Sequence, residues 1–177
     1  MGRTLGLVLA AGEGRRFGGP KAPALVGGQR LVDRAVRVLA DGGCDPVVVV
    51  LGAWIGEVPG AEIVVNEAWA EGMGSTLRAG LEALAGRPDG GADDRVVVTL
   101  VDLPGLTPDA VRRIVDSPAR LAAAAYDGER GHPVLLGAEH WPGVAGSARG
   151  DSGARDYLRA HRDAVVLADG SDLDEPA

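Results

Sequence analysis

The chain has 177 residues, 46% of them hydrophobic, which matches one ordinary domain (1–177) with a sizeable buried core. Its formal net charge of −7 argues against nucleic acid or an anionic membrane as a partner, because the long-range field repels a polyanion. One cysteine excludes an internal disulfide, and without a spanning or secretory segment we expect a cytoplasmic protein.

Continuous runs rich in valine predict four strands in the first part of the chain, because strands buried on both faces of a parallel sheet do not alternate with polar residues. The runs are Leu5–Leu9, Val47–Leu51, Ile63–Val65 and Val96–Val101. Together with helical segments between them, they predict an α/β fold with a three-layer, mostly parallel sheet and right-handed crossovers. Ligands in such sheets bind at the carboxyl ends of the strands, so a site is expected there.

Apolar residues at helical spacing predict three helices in the same region. Their apolar faces lie within Leu31–Leu39, Leu77–Leu84 and Val111–Val115. Ser75 or Thr76 is expected as the N-cap of the second helix, since a hydroxyl oxygen accepts from the free N–H groups of a first turn. Thr107 and Pro108 are typical of a cap and a first-turn proline before the third helix.

The second part of the chain is less regular, and we expect it to supply a lid or a wall for the substrate. Short apolar runs predict further strands, with one helix between them. These elements are strands at Leu121–Tyr126, Pro133–Leu136 and Ala164–Leu167, and a helix near Asp151–His161. Two glycine-rich segments, Gly86–Asp94 and Gly143–Gly150, are typical of surface loops.

The loop after the first strand combines glycines with the only lysine of the chain. Arginine supplies the other 17 of the 18 basic residues, so Lys21 has its own chemical reason. The glycines within Gly12–Gly19 let backbone N–H groups approach a polyphosphate, while Arg16 and Lys21 supply positive charge. The same residues also fit a tight structural turn, and the Gly-Lys-Ser/Thr of a P-loop is missing.

The run from Leu9 to Lys21, LAAGEGRRFGGPK, resembles the signature L-A-A-G-x-[SG]-x-R-[MF]-G-x-x-K of nucleotidyltransferases that activate molybdopterin and related small molecules. The similarity is greatest to the molybdenum cofactor cytidylyltransferases of the MobA-like group. It implies a Rossmann-like (GT-A-like) nucleotidyltransferase fold, in which Leu-Ala-Ala-Gly accompanies cytosine and Leu-Ala-Gly-Gly accompanies guanine. Arg16 and Lys21 are then catalytic. The implied nucleotide contacts are Leu9, Ala10, Ala11, Gly12, Gly14 and Lys21.

Asp102 directly follows the fourth predicted strand, in the sequence VDLP. A carboxylate at the carboxyl end of a strand is well placed to hold Mg²⁺ against a triphosphate, although an isolated Asp-x-Pro is also typical of a helix cap or turn. The resemblance favours the metal site and implies a catalytic role for Asp102. It also implies a second ligand, Asp174, because DLDEP at 172–176 is similar to the family's D-[IV]-D-T-P; Asp172 is the alternative.

Three further segments match the family in the expected order. The stretch Asn66–Leu77 is similar to N-x-x-W-x-x-G-M-x-x-S-L, which borders the base and ribose and implies nucleotide contacts from Asn66, Ser75 and Thr76. The segments GHPVLL at 131–136 and GDSGAR at 150–155 are similar to G-H-P-V-L-F and G-D-x-G-A-R, which wall the acceptor pocket. The implied acceptor contacts are His132, Pro133, Asp151 and Gly153.

The resemblance implies a Mg²⁺-dependent transfer of CMP from CTP, or of another nucleotide from its NTP, to molybdopterin or a similar phosphorylated small molecule, with release of pyrophosphate. A molybdoenzyme or its chaperone is then a further partner. Val101 and Leu103 stand where the family usually has glycine and glutamine, which leaves the acceptor open. The alternatives are an NTP transferase that acts on a sugar phosphate and a non-catalytic nucleotide-binding carrier of the cofactor.

Overall fold

A central sheet of seven strands organises the chain in a computed structural model that describes residues 2–169. The strands are β1 (Thr4–Ala10), β2 (Leu25–Val26), β3 (Gln29–Arg30), β4 (Val47–Leu51), β5 (Glu62–Val65), β6 (Arg95–Leu100), β7 (Leu121–Tyr126), β8 (Glu129–Gly137) and β9 (Val166–Asp169). The helices are α1 (Leu31–Asp41), α2 (Met73–Ala85), α3 (Pro108–Val115), α4 (Trp141–Ser147) and α5 (Arg155–Ala160). β2 and β3 form a separate two-stranded hairpin before α1.

The strands of the large sheet follow the order β5-β4-β1-β6-β8-β7-β9. β5, β4, β1 and β6 are parallel, β8 is antiparallel to both of its neighbours, and β9 is parallel to β7. Within residues 2–169, β8 is therefore the one strand of this sheet that reverses the common direction. The predicted α/β, three-layer, mostly parallel architecture is confirmed, and the carboxyl ends of β4, β1 and β6 lie side by side.

Helices cover both faces of the sheet, which explains why its strands are apolar without alternation. In β1, Val8 and Ala10 pack with residues of α1 and α3, whereas Leu7 and Leu9 pack with residues of α2, α4 and α5. These four side chains are at most 7% exposed. The end of β1 is thus held between two helical layers, and the residues that follow it start from a rigid position.

The start of α2 differs from the prediction. Its N-cap is Gly72, so Ser75 and Thr76 lie inside the first turn, and the expected N-cap at either of them is wrong. Gly72 has φ 111°, a conformation that side chains disfavour, and a Cβ there would lie 2.5 Å from Gly150 O. Glycine is required because the loop that contains Gly150 passes directly against the first turn of α2.

Other boundaries show where local pattern and tertiary packing agree or differ. α3 begins as predicted, since the Thr107 side chain accepts from Ala110 N at 3.3 Å. The segment Gly143–Gly150, predicted as a surface loop, contains most of α4. β5 was predicted as a buried strand, but it is an edge strand in which Ile63 and Val65 are exposed. Of the helices within residues 2–169, none combines the length and the apolar composition required to cross a membrane.

Candidate active site

A cavity of about 480 Å³ opens at the carboxyl ends of β1 and β6. It is bounded by the glycine loop after β1, by the segment that enters α2 and by the residues after β6. Nine residues with a predicted role line it: Leu9, Ala10, Ala11, Gly12, Gly14, Lys21, Thr76, Asp102 and Asp151. Segments that are far apart in the sequence meet here because parallel strands end at the same edge of the sheet.

Lys21 and Asp102 form an ion pair in this cavity. Lys21 Nζ lies 2.7 Å from Asp102 Oδ2, and the two side chains are 35% and 36% exposed. A charge-assisted hydrogen bond of this length holds both groups, while their exposed surface leaves both open to a ligand. The arrangement can therefore receive a phosphate at the ammonium group and a divalent cation at the carboxylate.

The glycine loop closes on itself at Gly14. The N–H groups of Phe17, Gly18 and Gly19 donate to Gly14 O at distances between 2.9 and 3.1 Å. Gly14 has φ +62°, and a Cβ there would lie 1.9 Å from Gly19 O, so glycine is required. The N–H groups of Gly18 and Gly19 are therefore already bonded within the loop. Of the backbone predicted to bind phosphate, Gly12–Gly14 is the part that lines the cavity.

The charged residues of this loop occupy different positions. Glu13 and Arg15 line the cavity and form an ion pair with each other. Arg16 is exposed and lies outside the cavity lining. The structure therefore brings Lys21, but not Arg16, together with Asp102, and the catalytic role of Arg16 stays a prediction.

Asn66, the only asparagine of the chain, lies behind the cavity wall. Its Nδ2 atom donates to Ser75 Oγ at 2.9 Å and to Thr76 Oγ1 at 3.2 Å, and its Oδ1 atom accepts from Ala68 N at 3.0 Å. Ser75 is also outside the lining, and its Oγ donates toward the carbonyl groups of Ala68 and Gly72. Of the three residues predicted to contact the nucleotide here, Thr76 is the one that reaches the cavity.

The loop between α4 and α5 touches the start of α2. Gly74 N donates to Gly150 O at 2.8 Å, next to the close approach at Gly72. Asp151 follows in the same loop, is exposed and lines the cavity. Gly153 does not line it. The predicted acceptor segment therefore contributes one carboxylate to the cavity and borders the helix start that forms its wall.

His132 and Pro133, in β8, lie outside the cavity lining. Pro133 is buried, and His132 is partly buried with its carbonyl oxygen accepting from Tyr126 Oη at 2.8 Å. Burial lowers the pKa of His132, and the negative charge of Asp102 opposes this shift. The His132 imidazole therefore feels the charge of Asp102, although it does not line the cavity. Because its pKa is lowered, we expect it to be neutral at pH 7.

The predicted second metal ligand, Asp174, and its alternative, Asp172, lie outside the described residues. Within residues 2–169, no group of three His, Cys, Asp or Glu side chains is placed to hold a metal ion. Asp102 and Asp151 do supply carboxylates to the cavity. Since Mg²⁺ is commonly held by one or two carboxylates together with phosphate oxygens and water, this donor set fits an ion that is shared with a phosphate ligand.

Part of the cavity wall had no predicted role. These residues are Glu13, Arg15, Ala22, Trp69, Ala70, Gly72, Met73, Leu100 and Val101. A signal existed for Trp69, Gly72 and Met73, which occupy the fixed positions of the N-x-x-W-x-x-G-M segment. Alanine and leucine at a strand end or in a loop carry no such signal, because apolar residues there are also typical of the core.

Comparison with known proteins agrees with this geometry. Residues 6–165 match the sequence profile of the MobA-like NTP transferase domain. Nicotine blue oxidoreductase of Paenarthrobacter nicotinovorans is 40% identical over 183 residues, covering 94% of this chain and 87% of that protein. A probable molybdenum cofactor guanylyltransferase of Opitutus terrae is 35% identical over 101 residues, covering 57% of this chain and 48% of that protein.

Solved structures share the architecture. A protein of Mycobacterium sp. strain JC1, a homologue of a Mycobacterium tuberculosis protein, has a TM-score of 0.81 at 27% identity, covering 98% of this chain and 88% of that one. The protein of Mycobacterium tuberculosis H37Rv in complex with manganese has a TM-score of 0.73 at 24% identity, covering 95% and 89%. Because only 24% of the residues are identical, the comparison with the manganese-bound protein shows a shared fold alone.

Proposed function

This chain belongs to the MobA-like NTP transferase family, and we propose that it transfers CMP from CTP to molybdopterin and releases pyrophosphate. The observation that carries the proposal is the cavity in which Lys21 and Asp102 meet beside the backbone of Leu9–Gly12. An ammonium group, a carboxylate and an open glycine loop are the groups that a nucleoside triphosphate requires. The Leu-Ala-Ala-Gly run supports cytosine as the base.

In the proposed reaction, an oxygen of the acceptor phosphate attacks the α-phosphorus of CTP. A new P–O bond forms, and the bond to the bridging oxygen of the β-phosphate breaks, so that pyrophosphate leaves. Such a displacement needs positioning and charge neutralisation rather than an enzymatic nucleophile. Lys21 exchanges Asp102 for a phosphate oxygen, Gly12 and Gly14 allow the backbone to approach the phosphates, and Arg16 is the second proposed cation.

Asp102, with Asp174 as the second proposed ligand, would hold Mg²⁺. When bound, this ion supplies positive charge beside the reacting phosphates. Asp151 is the other carboxylate that lines the cavity, so it offers a ligand from within the described residues. The manganese complex of a protein with the same fold supports a divalent ion.

The acceptor is proposed to bind at the Asp151 side of the cavity, with His132, Pro133 and Gly153 around it. None of His132, Pro133 and Gly153 lines the cavity, so the glycine loop stays free for the triphosphate. We take 1–177 as one nucleotidyltransferase domain, with a molybdoenzyme or its chaperone as the proposed receiver of the product.

The test is pyrophosphate release by purified protein with Mg²⁺, molybdopterin and either CTP or GTP. We expect release with CTP and much less with GTP. Release with a sugar phosphate in place of molybdopterin would support the alternative acceptor. Nucleotide binding without any pyrophosphate would support the carrier instead, and release with GTP alone would contradict the proposed base.

A second candidate function rests on the 40% identity to nicotine blue oxidoreductase over 94% of the chain. In this case the protein oxidises or reduces nicotine blue, and a second reactant supplies or takes up the electrons. The two functions are separated by following the absorbance of nicotine blue with purified protein and a series of electron donors and acceptors. A change in this absorbance that requires the protein and proceeds without CTP would favour the oxidoreductase.

A further inference from the structure

We propose that Asn66 is a positioning residue that directs the hydroxyl hydrogen of Thr76 into the cavity, where it donates to an acceptor atom of the nucleotide base. The inference rests on the proposed function in one respect, that the ligand of the cavity is a nucleotide. It replaces the contact expected from the sequence, in which Asn66 itself touches the nucleotide.

The orientation of the Asn66 amide is determined by a backbone group. The N–H of Ala68 can only donate, so the side-chain atom 3.0 Å from it must be the carbonyl oxygen, Oδ1. Nδ2 then faces Ser75 Oγ at 2.9 Å and Thr76 Oγ1 at 3.2 Å. Its two hydrogens meet two hydroxyl oxygens, and both oxygens must act as acceptors.

The two hydroxyl groups differ in what their own hydrogen can reach. Ser75 Oγ lies 3.0 Å from Ala68 O and 2.8 Å from Gly72 O, so its hydrogen stays within the protein. For Thr76, the residues from 2 to 169 provide the amide donor of Asn66 but no acceptor for the hydroxyl hydrogen. Because Thr76 also lines the cavity, this hydrogen is available to a ligand.

Burial keeps this arrangement in place. Asn66 is 5% exposed, Ser75 6% and Thr76 4%. The backbone N–H of Asn66 also donates to Leu51 O at 2.8 Å, which holds the Asn66 backbone at the end of β4. Water cannot readily replace the partners in such a network, so the direction of each hydroxyl hydrogen is set by the protein.

A donor fixed at this point selects a ligand by its acceptors. Cytosine offers a carbonyl oxygen and an unprotonated ring nitrogen. One hydrogen bond to a buried, oriented donor changes affinity by about tenfold when it is lost. Asn66 therefore contributes to recognition of the base although it is separated from the cavity by Thr76.

The test uses Asn66→Asp, which keeps the shape of the side chain but has two acceptor oxygens. The aspartate draws the hydroxyl hydrogen of Thr76 toward position 66 and away from the cavity. We expect the dissociation constant for CTP, measured by titration calorimetry, to rise about tenfold, and we expect the same rise for Thr76→Val. The double variant should bind CTP no more weakly than Thr76→Val alone, because the donor is already absent.

Ser75→Ala is the matched control, since Ser75 receives the other hydrogen of the same amide but keeps its own hydrogen inside the protein. Its loss of CTP affinity should be smaller than that of Thr76→Val. Turnover provides a second readout, in which Asn66→Asp raises the KM for CTP and leaves kcat within about twofold. Thermal unfolding shows whether each variant folds. If the Asn66→Asp variant does not fold, Asn66→Ala takes its place in the comparison of the single and double variants.

Additive losses from Asn66→Asp and Thr76→Val, or an Asn66→Asp variant that binds CTP like the unmodified protein, overturn the inference and leave the proposed function standing. If the unmodified protein does not bind CTP, the proposed function fails, and the same set of variants is titrated with GTP. A protein that binds neither nucleotide overturns both proposals.

Discussion

The parallel and antiparallel parts of the sheet contribute to the cavity in different ways. The parallel part, β5-β4-β1-β6, ends at the cavity and leads directly into Leu9–Gly12, Lys21 and Asp102. The part built around β8 contributes Asp151 through a loop and leaves His132 beside the cavity. Residues at strand ends are positioned by the sheet, whereas loop residues can change with little effect on the fold. We therefore expect nucleotide binding to depend on the first part and acceptor choice on the second.

The largest effect is expected for Lys21→Ala, which removes the ammonium group of the parallel part. Turnover, measured as kcat/KM for CTP, should fall by between about 10²- and 10³-fold, because developing charge on the phosphates loses a fixed partner. The fold should remain, since a partly exposed ion pair contributes about 1 kcal/mol or less. Arg112→Ala, which removes an exposed cation from α3, is the control and should retain full turnover. Equal losses in the two variants would contradict a specific role for Lys21.

A direct comparison of the two parts is Asp102→Asn against Asp151→Asn. The first should lower kcat by about 10²-fold and weaken Mn²⁺ binding in the presence of CTP, because a charged ligand of the ion is lost. The second should raise the KM for the acceptor by about tenfold and change the KM for CTP little. Steady-state kinetics in both substrates separates them. A larger effect of Asp151→Asn on CTP than of Asp102→Asn would reverse the assignment of the two sides.

Glycine substitutions test the same contrast through stability. Gly14→Ala should lower the free energy of unfolding by about 2 kcal/mol, because alanine disfavours φ +62° and its Cβ would meet Gly19 O. Gly146→Ala, in α4 of the second part, has open space at the Cβ and should raise it by about 0.5–1 kcal/mol. Urea unfolding measures both. Gly14→Ala with unchanged stability would mean that the glycine loop is not held as described.

The smallest effect concerns Arg120 and Glu139, an ion pair that joins the start of β7 to the residues after β8. The Arg120 guanidinium lowers the pKa of Glu139 from 4.5 to about 2. Since the folded-state pKa is the lower one, the pair stabilises the fold above about pH 4.5, and this contribution is lost as the pH falls toward 2.

At pH 7, Glu139→Gln should lower the free energy of unfolding by a few tenths of a kcal/mol, about 1 at most, because the glutamate side chain is half exposed and solvent screens the pair. At pH 3 the difference between variant and unmodified protein should be smaller, as urea unfolding at the two values will show. CTP affinity should be the same for both proteins. A difference that grows in acid would contradict the direction of the pKa shift.

The strands could be predicted because burial on both faces leaves a signal in each of them. β4 has the predicted bounds, and β1 and β6 each differ from their predicted bounds by one residue at each end. α4 was missed because Gly143 and Gly146 are typical of loops. Its helical form depends on Trp141 and Val144, which pack against the sheet from α2's side, and this contact is not visible in the local sequence.

Within the site, the sequence predicted Lys21 from its place as the only lysine at the end of the glycine loop, and Asp102 from its position directly after a strand. The structure brings the two side chains together. The arrangement around Asn66 could not be predicted, since the direction of its amide depends on where Ala68 N and the first turn of α2 lie. The family pattern identified Asn66, and the structure shows that its side chain contacts Ser75, Thr76 and the Ala68 N–H. What a hydrogen-bonding side chain faces is determined by the fold around it, and its spacing in the sequence does not contain that information.

The place of β8 between β6 and β7 has a consequence for synthesis on the ribosome. β7 emerges first, yet the position next to β6 belongs to the strand that follows it. β7 can join the sheet only after the Asp127-Gly128 turn has formed and the hairpin inserts as a unit. A translational pause before residue 137 would leave β6 with an open edge, so we expect the nascent chain to be open to aggregation through this edge while the hairpin is being completed.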